Sequence, residues 1–319
     1  MISKSYKSTH LLVRCTKGII LLGIGYWLYS HFNAVLFENP AKEIYSILTA
    51  NLSNIAILVL YTVFNWLIEC IKWHSLIKNV KTEPIGSTFY ESIKQVFTAH
   101  TVSVITPAKL GAYGAKALYF ASNKRKGVIA LHFFGSASQM IPTTIFGIIG
   151  LLTVGNSLIS ASLRWPFIAL IVILCLIAIC LSTFRNKIEE HYKIPLDISK
   201  NIAFRVIALS FGRYLIFSHQ LYFLLYLAKS DIGYFNTMLL IGIYYLFNSL
   251  LPVFQLLDVA IKSSVALLVF GSLNISASTL VIIPVIMWLF NAILPVLAGI
   301  LFVLKWKPLK KNKLAPLTS

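Results

Sequence analysis

The chain has 319 residues, of which 58% are hydrophobic and only 12% charged, with a mean hydropathy of +0.80. Soluble domains of this size carry about 25% charged residues, so half that fraction excludes an ordinary water-soluble fold and points to lipid as the main solvent. The net charge of +18 does not make a nucleic-acid binder, because the bases sit in short tracts flanking apolar segments and form no basic domain.

The apolar stretches are long, rich in Leu, Ile and Phe, and lack strand-like alternation, so they read as spanning helices and not barrel strands. The predicted fold is an all-α polytopic membrane protein, a single integral-membrane domain over 1–319. The first segment, 17–33, follows Lys4, Lys7, Arg14 and Lys17 as a signal peptide would. Tyr26, Trp27 and Tyr29 stand where cleavage needs small residues, so a retained first span is expected. Further spans are expected at 47–71, 128–153, 165–183, 204–228 and 279–304.

Two regions differ, 88–122 and 234–270. Each is interrupted near its middle by proline (Pro107, Pro252) and dotted with polar groups. Their arms of about 17 residues reach roughly 26 Å against a hydrocarbon core of about 30 Å, which favours re-entrant hairpins over full crossings. Lys and Arg orient the chain, since they flank spans on the cytoplasmic side. If 88–122 leaves and returns on one side, that side collects both basic termini and the cluster Lys124, Arg125, Lys126. The other side keeps only Lys42, Arg164 and Lys229. The expected location is therefore a bacterial inner membrane with both termini cytoplasmic, the first hairpin opening inward and the second outward.

Span–hairpin–span then occurs twice in opposite orientations, over about 47–153 and 204–304. Paired broken helices in inverted halves are a sequence pointer to a transporter-type binding site. The tips read ITPAKLGAYGAKALYF (105–120) and LLPVFQLLDVAIKSSV (250–265), each with a proline followed by a Lys, and Ala112 and Asp258 stand four residues before Lys116 and Lys262. Asp258 and Lys262 share a helix face and can pair. Arg213, in a span, requires an acid or a lipid phosphate. His100 and His219 read as histidines bonded to backbone carbonyls. Glu69 beside Lys72 reads as an interfacial pair, and Trp73, Trp165 and Trp306 as interface anchors. Cys15, Cys70, Cys175 and Cys180 lack metal-ligand spacing and read as small buried hydrophobes.

TPAKLGAYGAKALYF resembles the signature of the lysylphosphatidylglycerol synthase transmembrane-region (flippase-like domain) family, over nearly the whole chain. The family pattern is a proline, a basic residue, Gly-Glu, and a basic residue a turn later. Carried over, it picks out Pro107, Lys109, Gly111 and Lys116, and the later stretch LPVFQLLDVAIKSS picks out Pro252, Asp258 and Lys262; Gln255 belongs to the same tip. Ala112 stands where the family has Glu, which leaves Lys116 without that partner. The resemblance implies handling of membrane lipid. The leading expectation is a flippase-like transporter of an anionic lipid or lipid-linked molecule, with Lys109, Lys116, Arg213, Asp258 and Lys262 lining a cavity between the hairpins. The alternatives are a non-catalytic subunit of an envelope lipid enzyme, or a membrane-embedded lipid-modifying transferase. The latter is disfavoured because Asp258 reads as the one mid-membrane acid. No cofactor, metal or catalytic residue is expected; the expected partners are membrane lipid and either a second copy or an envelope enzyme.

Overall fold

A computed structural model describes residues 52–78, 88–104, 106, 109–155, 198–229, 231–250 and 258–305. The segments expected to span at 17–33 and 165–183 lie outside these residues, as do Pro107, Pro252 and Gln255. Among the described residues all regular structure is helical. In chain order they form α1 (Leu52–Ile77), α2 (Phe89–Val104), α3 (Leu110–Ala117), α4 (Arg125–Thr153), α5 (Lys200–Ala228), α6 (Tyr234–Leu250), α7 (Asp258–Phe270) and α8 (Ala277–Lys305). Four of them, α1, α4, α5 and α8, are long and apolar enough to cross a membrane.

Between these long helices lie two pairs of short ones, α2–α3 and α6–α7. With eight residues, α3 rises only about 12 Å, less than half of a hydrocarbon core. Between α2 and α3 the helix is interrupted at Thr106 and Lys109, beside Pro107 in the sequence, whereas the residues between Leu250 and Asp258, Pro252 among them, lie outside the described ones. Helix α8 stays continuous although Pro284 and Pro295 lie within it. It absorbs the second proline's missing N–H with a π turn at Leu289–Ile293.

The packing has a regular pattern. In the first half α1 packs on α2, α2 on α3, α3 on α4, and α1 on α4; in the second half α5 packs on α6, α6 on α7, α7 on α8, and α5 on α8. Contacts between the halves also come in matched sets: α4 packs on α6 and α8 on α2, α4 on α5 and α8 on α1, while α1 and α5 pack on each other. Two apolar cores are each built mainly from one half, one around Trp73, Leu76, Val96 and Leu131 and joined by Val206 of α5, the other around Leu224, Ile243, Val269 and Ile283 and joined by Leu58 of α1 and Leu151 of α4. A third core lies elsewhere. It joins Val104 at the end of α2 to Val259 at the start of α7, against Val285, Trp288, Ala292 and Val296 of α8.

Candidate functional site at the two helix breaks

That third core brings the two broken pairs together. The first break is closed by Thr106, whose hydroxyl donates to the Ser103 carbonyl (3.0 Å) and accepts the N–H of Gly111 (2.8 Å). A Cβ on Gly111 would stand 2.7 Å from the Thr106 Oγ1 and 2.9 Å from the Val102 carbonyl, so only glycine fits this closure. Lys109 caps α3 in the left-handed region (φ 59°, ψ 21°). That conformation costs a non-glycine residue about 1–2 kcal/mol, and strain of this kind gathers where a side chain must be placed. The Lys109 side chain is exposed and lies within electrostatic reach of Asp258, Lys262 and Arg213.

On the other side, Asp258 opens α7, where a carboxylate favours the helix N-terminus. It accepts a 2.6 Å ion pair from Lys262 one turn on, as their spacing leads one to expect. Both remain partly open, at 20% and 31% side-chain exposure. His100 of α2 bonds the Ala292 carbonyl in the π turn of α8 (3.2 Å) and His219 bonds the Leu215 carbonyl (2.7 Å). Both histidines are thus held by backbone carbonyls, as expected.

A second polar feature, missed in the sequence, runs through all four long helices. Glu69 of α1 accepts from Lys72 and from Arg213 of α5 on the same oxygen, Oε2, each at 2.8 Å. Arg213 Nε donates to Asn65 Oδ1 (2.8 Å), and Asn65 Nδ2 donates to Asn291 Oδ1 of α8 (2.8 Å). Asn291 in turn donates to Gln220 Oε1 (2.8 Å), and Gln220 bonds the Thr62 hydroxyl and the Leu58 carbonyl, each at 3.1 Å. At the other end Gln139 of α4 receives a long bond from Lys72 (3.5 Å) and donates to the Ser210 carbonyl (3.1 Å). Glu69 is therefore not an interfacial pair with Lys72 alone: it is the acid that Arg213 requires, largely buried between α1 and α5. Only the part within α1 has a signal in the sequence, since Asn65, Glu69 and Lys72 fall on one helical stripe.

Lys116 lies apart from the breaks. It is 2% exposed, with its amine 3.1 Å from His132 Nδ1 and 4.0 Å above the Trp73 ring, within electrostatic reach of Glu69. A ring nitrogen can accept from the ammonium group, and the indole face supplies a cation–π contact. Trp73, expected at an interface, is 1% exposed and donates to Gln95 (2.7 Å). The burial has a cause: its face carries Lys116. Ala112, half-buried, sits one turn before Lys116 on α3. Cys70 is buried, as a small hydrophobe should be.

The structure thus sorts the expected residues into two groups. Lys109, Gly111, Asp258 and Lys262 stand at the helix breaks, whereas Arg213 and Lys116 belong to the buried cluster around Glu69. Among the described residues no group of His, Cys, Asp and Glu is placed to hold a metal ion. Comparison with family models, with curated proteins and with solved structures finds no match.

Proposed function

We propose that the chain is a flippase-like transporter that moves an anionic lipid or lipid-linked molecule across a membrane by alternating access. The observation that carries this reading is the meeting of the end of α2 with the start of α7. Val104 and Val259 share one core against the π turn of α8, and Lys109 lies in the electrostatic field of the Asp258–Lys262 pair. Broken helices are tolerated at membrane depth only when buried in protein or facing a water-filled cavity. Cations held at such a place suit an anionic headgroup whose tails stay in lipid.

In this reading the two halves are an inverted repeat, with α2–α3 and α6–α7 as re-entrant hairpins open to opposite sides of a bacterial inner membrane. The matched packing supports it, and so does the register. Aligning the first residues of α4 and α8, Arg125 and Ala277, places Gln139 on Asn291 and Gly147 on Gly299. Gly147 meets Leu246 of α6, and Gly299 meets Thr101 of α2. Aligning Leu58 with Val206 places Thr62 on Ser210, and each of those hydroxyls donates to the carbonyl four residues earlier in its own helix, Leu58 and Val206 respectively (3.0 and 2.9 Å). The same alignment places Asn65 on Arg213 and Lys72 on Gln220, all members of the central polar chain. Two halves exchanged by rocking about α1 and α5 supply the two gates that alternating access needs.

The test is headgroup dependence in reconstituted liposomes. Lys109→Met and Lys262→Met are each expected to slow translocation of an anionic lipid far more than that of a zwitterionic one. Equal effects on both lipids speak against a headgroup site at the breaks.

A further inference from the structure

Arg213 is only partly engaged. Its Nε and Nη1 go to Asn65 and Glu69, while Nη2 has no hydrogen-bond partner among the described residues, and the side chain keeps 20% exposure. The Trp66 ring centre lies 6.0 Å from the guanidinium carbon, and its Nε1 is buried with no partner among the described residues. A buried indole N–H normally finds an acceptor. Two unused donors beside a fixed cation suit a phosphate oxygen, since guanidinium and phosphate match in bidentate geometry.

Glu69 has the complementary property. Its Oε2 is shared between Lys72 and Arg213, so it can leave Arg213 and still be paired with Lys72. Arg213 has no second carboxylate among the described residues and can be left only to another anion. We propose that Arg213, with Trp66 Nε1, takes the phosphate of the transported group, and that Glu69 is the latch this phosphate displaces. The proposal rests on the transporter reading and names the group recognised. It also gives that group a means of acting on the α1–α5 contact: on arrival it cuts the charged link between the two halves, which is the differential interaction a conformational change requires.

The experiment uses the full chain purified in a phosphate-free maltoside detergent. Inorganic phosphate and a short-chain phosphatidylglycerol are titrated separately, with the thermal unfolding midpoint and tryptophan fluorescence as readouts. Arg213→Gln is expected to weaken binding about tenfold, the loss of one charge-assisted contact. Trp66→Phe should weaken it about threefold, the loss of one neutral donor. Glu69→Gln is expected to do the opposite and tighten binding about fivefold, because the competing carboxylate is gone. Should Glu69→Gln fail to fold with Lys72 unpaired, Glu69→Gln combined with Lys72→Met keeps the charge balance and should tighten binding likewise.

Binding of both probes with this pattern identifies the phosphate itself as the recognised group; binding of phosphatidylglycerol alone, with the same pattern, identifies a lipid phosphate. Binding of neither, or a Glu69 variant that binds no tighter than the parent, overturns the proposal. So does binding that survives Arg213→Gln. Binding with the expected pattern in a protein that moves no lipid leaves the Arg213 assignment standing and removes the transporter reading instead.

Discussion

Glu69 of α1 and Arg213 of α5 are joined by a 2.8 Å ion pair at the centre of the bundle, and neither side chain is more than one-fifth exposed. The pair is asymmetric, because Glu69 has a second cation in Lys72 and Arg213 has no second carboxylate among the described residues.

That asymmetry sets the order of two substitutions. Arg213→Met leaves Glu69 with Lys72 and should cost about 1 kcal/mol. Glu69→Met leaves Lys72 and Arg213 as neighbouring buried cations, and breaking a buried pair in this way costs about 3–5 kcal/mol. Denaturant unfolding of the detergent-solubilised protein checks the order, and a reversal would show that Lys72 finds another acid.

Two glycines in α3 should respond in opposite directions. Gly111→Ala pushes a methyl group into Thr106 and the Val102 carbonyl and opens the first break, whereas Gly114 has nothing within 4 Å of its would-be Cβ. Gly114→Ala is expected to stabilise by about 0.5–1 kcal/mol, the usual gain for a helix interior. Gly111→Ala should destabilise. Unfolding midpoints of the two variants, measured side by side, decide this.

Lys109 separates backbone strain from charge. Lys109→Gly relieves the left-handed conformation, worth about 1 kcal/mol, while it removes the cation at the break. The expected variant is therefore more stable than the parent and slower in transport. A variant that is both stabilised and fully active would show that the Lys109 charge has no part in the cycle.

Orientation is open to cysteine labelling. Lys124→Cys, before α4, should react with an impermeant probe only from the cytoplasmic side, and Ser276→Cys, before α8, only from outside. Ser276 is exposed and Lys124 partly so. Labelling of position 124 from outside intact cells contradicts the inward-opening first hairpin.

Much of the fold was legible because helices in lipid advertise themselves. The stretches expected at 47–71, 128–153, 204–228 and 279–304 appear as α1, α4, α5 and α8 within a few residues, and the two proline-marked regions appear as α2–α3 and α6–α7. The Asp258–Lys262 pair was legible because its geometry is local, four residues on one helix. The central network was not, because its links join residues far apart in sequence, such as Asn65 to Asn291 and Glu69 to Arg213. Spacing showed that Glu69 could meet Lys72 but carried no sign that α5 would bring Arg213 to the same oxygen. Trp73 misled for a related reason. A tryptophan near a span end reads as an interface anchor, but the ring lies under Lys116, which arrives from α3. Ala112 reads in sequence as the loss of an acid for Lys116, whereas the fold gives that amine His132, an indole face and the field of Glu69.

Leaflet-specific translocation is the most direct measurement of all. Purified protein is reconstituted into liposomes bearing a fluorescent phosphatidylglycerol, and the fraction reached by a membrane-impermeant quencher is followed over time. A transporter of anionic lipid should move label between leaflets much faster than protein-free liposomes do, and Arg213→Gln should abolish the difference. Movement no faster than in protein-free liposomes would contradict the proposed function.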